Sequence, residues 1–170
     1  MRTVIVLADN QQRITAVREL FLEYANSLGF DLCFQSFEKE LADLPGDYAF
    51  PSGILLLALV DDQPAGCIAL HKLDEGICEM KRLYVRPQFR GEGVGLQLAR
   101  WVIESAIAMG YSRMRLDTVA AQMQAAVAMY RRLGFVEIEP YRDNPIPSAL
   151  YMELDLKAFE PSAFTKSSTH

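Results

Sequence analysis

The chemistry of this chain gathers first at Arg90-Gly91-Glu92-Gly93-Val94-Gly95, where three glycines alternate behind an arginine. The run follows a strand-like segment, Ile77 to Val85, and opens a segment of helical period, so a strand hands over to a helix there. The first N–H groups of a helix have no intrahelical partners, and several of them aimed into one hollow bind an anion. Glycine admits the backbone to a bulky anion that a Cβ would hold off. Arg90, with Arg86 close by, adds fixed positive charge at the mouth. The ligand this favours is a pyrophosphate, although the turn alone serves equally well as a tight strand-to-helix connection. The spacing is neither G-x-G-x-x-G nor G-x-x-x-x-G-K-[ST], since no Lys-Ser or Lys-Thr follows Gly95, so NAD and ATP lose their usual signatures.

The elements around the turn follow from period and punctuation. Thr3 to Ala8 reads as a short buried strand, and Asp9-Asn10 offers oxygens to cap the helix carrying Ile14, Val17, Leu20, Phe21, Tyr24 and Leu28 at three- and four-residue steps, with Gly29 as its terminator. Phe30 to Ala42 predicts a second, shorter helix ended by Pro45-Gly46. Gly53 to Val60, Ala65 to Leu73 and Ile77 to Val85 are three strands joined by short polar turns, hence an antiparallel meander. Val94, Leu98, Val102, Ala106 and Met109 then form a helical stripe ended by Gly110. Ser112 to Thr118 returns to strand, Gln122 to Leu133 to helix with Gly134 as its stop, and Phe135 to Ile138 and Ala149 to Leu156 are strands again. The order βααβββαβαββ gives a mixed α/β fold: a mostly antiparallel sheet of six to seven strands flanked by four helices.

Bulk properties bound the function. The 170 residues are 51% hydrophobic, enough for one domain over residues 1–159, and the polar, Ser/Thr-rich residues 160–170 read as a flexible tail. Seventeen Lys and Arg against twenty-two Asp and Glu give a net charge of −5, which argues against a nucleic-acid partner. Cys33, Cys67 and Cys78 show no C-x-x-C spacing and read as reduced thiols; His71 and His170 lack metal-ligand spacing, so no metal is expected. No apolar run approaches the ~20 residues that span a bilayer, and Asp9-Asn10 interrupts any leader-like start, so the expectation is a cytoplasmic protein without membrane partners.

Leu83-Tyr84-Val85-Arg86-Pro87, the glycine turn, and the helix end Ala126-Val127-Ala128-Met129-Tyr130-Arg131-Arg132-Leu133-Gly134-Phe135 together resemble the GNAT superfamily of acetyl-CoA-dependent N-acetyltransferases. The likeness covers Ile77 to Phe135 by motif and most of the rest by element order. It implies acetyl-CoA as co-substrate, with the main chain of Leu83, Tyr84 and Val85 along the pantetheine arm and Arg90, Gly91, Glu92, Gly93, Val94 and Gly95 around the pyrophosphate. It also implies that Tyr130 lies by the thioester sulfur as general acid; a core aromatic is the competing reading. Met123 stands where many relatives have asparagine.

The resemblance implies transfer of an acetyl group to a primary amine of a small molecule or peptide by direct attack in a ternary complex. An alkylammonium must first lose a proton. Glu79 shares a strand face with Lys81, Leu83 and Val85 and is the leading base; Asp117 and a water chain compete, and a structural ion pair is the plain alternative. Tyr24, Phe34, Phe37, Tyr141, Arg142 and Asn144 are expected to wall the acceptor pocket. A catalytically silent acyl-CoA sensor is the rival from another class. Leu150, Met152, Leu154 and Leu156 alternate along the last strand, which offers either a homodimer edge or a core face.

Overall fold

Period and alternation become β1 (Thr3–Leu7), α1 (Gln11–Ser27), α2 (Phe37–Asp43), β2 (Ile54–Val60), β3 (Gln63–Asp74), β4 (Ile77–Val85), α3 (Val94–Ala108), β5 (Arg113–Val119), α4 (Gln124–Leu133), β6 (Val136–Ile138) and β7 (Ala149–Asp155). This is the order read from the sequence. The computed structural model describes residues 1–28, 36–119, 123–143, 146 and 149–160. Gly29, Phe34 and Asn144 therefore lie outside the described residues, as do Cys33 and the expected tail beyond residue 160.

The strands form one seven-stranded sheet in the order β1-β2-β3-β4-β5-β7-β6. Every neighbouring pair is antiparallel except β4 and β5. Both faces are covered, which is why β2 reads ILLLALV without alternation. On one face Leu98, Val102 and Ala106 of α3 meet Met80, Met114, Met152 and Leu154, together with Tyr130 and Leu133 of α4. On the other, Val17, Leu20 and Phe21 of α1 pack on Leu55, Leu57, Cys67 and Ala69. Asn10 caps α1 as its sequence position suggests, its Oδ1 accepting from the Arg13 N–H at 2.8 Å. Cys67 and Cys78 are buried, and desolvation pushes both thiols up, that of Cys78 to about 12.

The structure decides between the two readings of the last strand. The last strand is not an edge: β7 lies between β5 and β6, and Met152, Leu154 and Leu156 are at most 3% exposed. Their alternation fills the core under α3 and α4, so it offers no surface for a second copy. No described helix is long and apolar enough to cross a membrane.

Two irregularities in β4 position the site. Its parallel pairing with β5 covers Ile77↔Arg113, Cys78↔Met114 and Glu79↔Arg115 and goes no further. Beyond Glu79 the two strands part, leaving main-chain groups of β4 without a β5 partner. Arg82 then adopts φ 63, a left-handed conformation unusual for a side-chain-bearing residue, where the β3–β4 register shifts between Cys67↔Tyr84 and Ala69↔Lys81. A salt bridge holds this bulge: Arg82 Nε and Nη2 donate to the two carboxylate oxygens of Glu40 on α2 at 2.9 and 3.0 Å. The Arg82 guanidinium also lies 5.2 Å from the Phe37 ring centre.

Candidate active site

The glycine turn lies between Pro87–Phe89, a single 3₁₀ turn, and the start of α3. Gly91 and Gly93 take φ +83 and +81, and a Cβ built on either would meet nothing within 4 Å. Their backbones require glycine, and the space beside them is open. Gly93 is also the N-cap residue of α3, so the first-turn N–H groups of that helix face outward from it. Gly95 differs: its φ is ordinary and a Cβ there would sit 3.7 Å from Val85 Cγ2, so nothing inside the protein demands glycine. Glu92 is exposed, whereas the Val94 side chain is fully buried in the core, which leaves Val94 only its main chain to offer.

The arginines near the turn divide. Arg86 was expected at the mouth, but it is held by Glu23 of α1 through contacts of 2.7 and 3.1 Å and donates to the Pro64 carbonyl. The Tyr84 hydroxyl joins the same carboxylate at 3.3 Å. Arg90 stays at the turn, with Nε donating to the Val85 carbonyl at 2.8 Å and its guanidinium over the Tyr84 ring. Leu83 and Val85 are partly buried against the α3 core.

Below the parting strands lies a network centred on Glu79, which is fully buried. His71, directly opposite in the β3–β4 register, meets Oε1 through Nε2 at 2.7 Å. Tyr141 donates its hydroxyl to Oε2 at 2.6 Å, and Arg142 donates to the same oxygen. Burial opposes ionisation of Glu79, but the His71 bond, the Lys81 charge and Arg142 outweigh it and bring the carboxyl down to about 2. The Arg115 and Arg142 guanidinium groups both lie over the Tyr141 ring, 5.4 and 5.0 Å from its centre, and Tyr151 meets that ring edge-on. Asp117, 9% exposed, faces Arg142 Nη1 at 3.8 Å. His71 also borders an open hollow of about 340 Å³ lined by residues of the Gly46–Ser52 segment, and its ring packs edge-on against Tyr48.

Tyr130 is 6% exposed and tilts against Phe135 at 5.6 Å. Burial and then the nearby Tyr24 push its phenol well above the usual range. Tyr24, on the opposite face of the sheet, contacts the Tyr84 ring edge-on. These three tyrosines, from α1, β4 and α4, thus converge from both sides of the sheet. Met123 caps α4 and receives the Thr118 hydroxyl at its sulfur, 3.1 Å away.

The structure therefore brings Glu79, Tyr141, Arg142 and Asp117 together. Phe37, expected at the acceptor pocket, is buried beneath Arg82. His71 and Arg82 were not read as site residues. Counting back from Asp74↔Ile77 would have put Lys72 across from Glu79; a register shift between Lys72 and Asp74 brings His71 there instead.

Known proteins resemble this chain in sequence and in fold. The model of the acetyltransferase (GNAT) family matches residues 14–135. An uncharacterized N-acetyltransferase of Schizosaccharomyces pombe is 42% identical over 147 residues, which is 85% of this chain and 90% of the relative. An N-acetylaspartate synthetase of Danio rerio is 32% identical over 71% of this chain and 43% of its own length. In fold, the chain superposes on the PaiA N-acetyltransferase of Thermoplasma acidophilum, solved with coenzyme A, with a TM-score of 0.70 at 18% identity, covering 91% of this chain and 99% of that one.

Proposed function

The chain belongs to the acetyltransferase (GNAT) family, and from that premise we propose that it moves the acetyl group of acetyl-CoA to a primary amine of a small molecule or peptide by direct attack in a ternary complex. The observation that carries this reading is the opening where β4 leaves β5 past Glu79, beside two left-handed glycines that start α3. The residues present fit the cofactor. Arg90, Gly91, Gly93 and the N–H groups at the start of α3 suit the pyrophosphate. The main chain of Leu83, Tyr84 and Val85, without a β5 partner, suits an amide-bearing arm. Acetyl-CoA, when bound, supplies a thioester carbonyl open to an amine nitrogen. The S. pombe relative supports amine acetylation, and the D. rerio relative, whose name gives N-acetylaspartate as product, supports a small-molecule acceptor.

In this reading Glu79 suits an organising role better than that of the base. A carboxyl held at about 2 would take a proton from an ammonium of ordinary pKa near 10 only at a cost on the order of 10 kcal/mol. It instead fixes His71, Tyr141 and Arg142. Donating its Nε2–H to Glu79 holds the His71 ring in one orientation at the edge of the hollow.

Tyr130 stays protonated, and its raised pKa suits it to donate a hydrogen bond to the departing sulfur more than to surrender its proton outright. A hydrogen bond to a charged group is worth about 1.5–3 kcal/mol, so Tyr130→Phe is expected to lower kcat roughly 10- to 100-fold, with KM for acetyl-CoA little changed. Undiminished turnover would remove that role. Thiol release from acetyl-CoA across a panel of primary amines tests the transfer itself; cofactor binding without turnover on any amine would make the chain a sensor module instead.

A further inference from the structure

The bulge in β4 turns a buried cation toward a tyrosine. Arg82 is 4% exposed, and its two bonds to Glu40 hold the guanidinium on the sheet face covered by α1 and α2. Tyr24 of α1 packs on that face, against the cluster that holds Phe21, Leu57 and Cys67. Arg82 bears on its phenol from β4 as a charge and as a donor, and Asp117 bears on it from β5 as a charge. A guanidinium can only donate, so what it shares with Tyr24 is a lone pair of the phenol oxygen, and the hydroxyl hydrogen remains to be given to another acceptor. Burial pushes the phenol up, with Arg82 working against it, so that hydrogen stays in place.

The position of that hydroxyl follows from the parting strands. β4 and β5 separate after Glu79↔Arg115, and Asp117 lies two residues further along β5. A phenol that feels both Arg82 and Asp117 stands over the gap. Tyr24 also acts on the phenol of Tyr130, which packs with the α3 core on the other face, so the two reach each other through the opening. In the reading above the cofactor's arm runs along Val85, Tyr84 and Leu83, which brings its thioester level with Arg82, just short of the point where the strands rejoin at Glu79. Tyr130 serves the sulfur from one face, and the acetyl carbonyl is left to the other.

We infer that Tyr24 is a catalytic residue that donates a hydrogen bond to the acetyl carbonyl oxygen, with Arg82 and Glu40 as the pair that positions it. As the amine nitrogen bonds to the acetyl carbon, the carbonyl π pair moves onto oxygen and the hydrogen bond strengthens. The pair returns as the C–S bond breaks and sulfur leaves with its bonding electrons, and Tyr24 gives up no proton. A donor fixed in advance where charge develops, beside a buried guanidinium, lowers the barrier more than it tightens binding. This inference rests on the transfer reading above.

The test pairs kinetics with a spectrum. Tyr24→Phe keeps the ring and its edge-on contact with Tyr84, and it is expected to lower kcat roughly 10- to 100-fold, as the loss of one charged hydrogen bond allows, with KM for acetyl-CoA and for the amine little changed. Undiminished kcat overturns the inference. A rise confined to the amine's KM overturns it too, because Tyr24 then walls the acceptor pocket. The second readout needs no turnover: acetonyl-CoA, a ketone that cannot transfer its acyl group, is labelled isotopically at the carbonyl and followed by infrared difference spectroscopy on the protein. Its carbonyl stretch is expected at lower wavenumber on wild type than on Tyr24→Phe, with Tyr130→Phe matching wild type. The same stretch on wild type and Tyr24→Phe overturns the inference while leaving acetyl transfer intact. Where Tyr24→Phe does not fold, fluorotyrosine in place of Tyr24, a stronger donor, should lower the stretch further, and an unmoved stretch overturns the inference. No thiol release from acetyl-CoA with any amine defeats the transfer reading, and this inference with it.

Discussion

Replacing Glu79 with glutamine is expected to lower acetyl transfer by at least about 100-fold and to cost roughly 3 kcal/mol of stability at neutral pH. The carboxylate is fully buried and receives His71, Tyr141 and Arg142. Glutamine keeps one acceptor oxygen but puts an NH₂ group against these donors and leaves the Arg142 charge short of its partner, and breaking a buried pair costs about 3–5 kcal/mol. Activity should fall with it, because His71 and Tyr141 lose the group that orients them. The sign of the pH effect follows from the direction of the shift. The folded carboxyl is depressed from 4.5 to about 2, so its contribution is fully present above about pH 4.5 and is lost as pH falls toward 2. A displacement of that size corresponds to about 3 kcal/mol. Urea denaturation of wild type and Glu79→Gln at neutral pH and through the acid range reads both effects. The variant should start lower and show a flatter acid limb. Equal midpoints at every pH, or undiminished turnover, would sink the organising role.

That network also marks the limit of what the sequence made legible. Local pattern showed that Glu79 sits on a strand face just ahead of the glycine turn, because two-residue alternation and a change of period are local facts. It did not show that Tyr141 and Arg142 arrive from 62 and 63 residues away to saturate it. A carboxylate read alone looks like a base, and its three donors favour an anchor. The two readings left open for β7 have the same origin. Alternating leucines fit an edge or a core equally, and only the insertion of β7 between β5 and β6 decides between them. Arg86 likewise looked free for phosphate until α1 brought Glu23 against it. Element order and the glycine positions were recoverable because they depend on near neighbours. Partnerships across the sheet were not, and even the β3–β4 hairpin sets His71 opposite Glu79 only through a register shift between Lys72 and Asp74.

Gly93→Val is expected to raise KM for acetyl-CoA by roughly 100-fold or more while lowering stability by only about 1–2 kcal/mol. The stability term is the left-handed backbone alone: φ is +81, and a Cβ there meets nothing within 4 Å, so no packing is disturbed. The binding term is larger because the space that is empty of protein is where the reading above puts the pyrophosphate, and a branched side chain would stand between that anion and the first N–H groups of α3. Gly110 supplies the control. It lies just past the other end of α3 with φ +93 and nothing within 4 Å of a built Cβ, so Gly110→Val carries the same backbone strain away from the turn. Gly95→Ala separates the contributions from the other side, because it strains no backbone and its Cβ has ordinary room at 3.7 Å; any rise in KM there reflects the ligand. Acetyl-CoA titrations by calorimetry beside thermal melts of the three variants should show Gly93→Val and Gly110→Val losing similar stability, with only the former losing affinity. Equal affinity in both would move the pyrophosphate away from the turn, because strain without contact then accounts for everything Gly93 does.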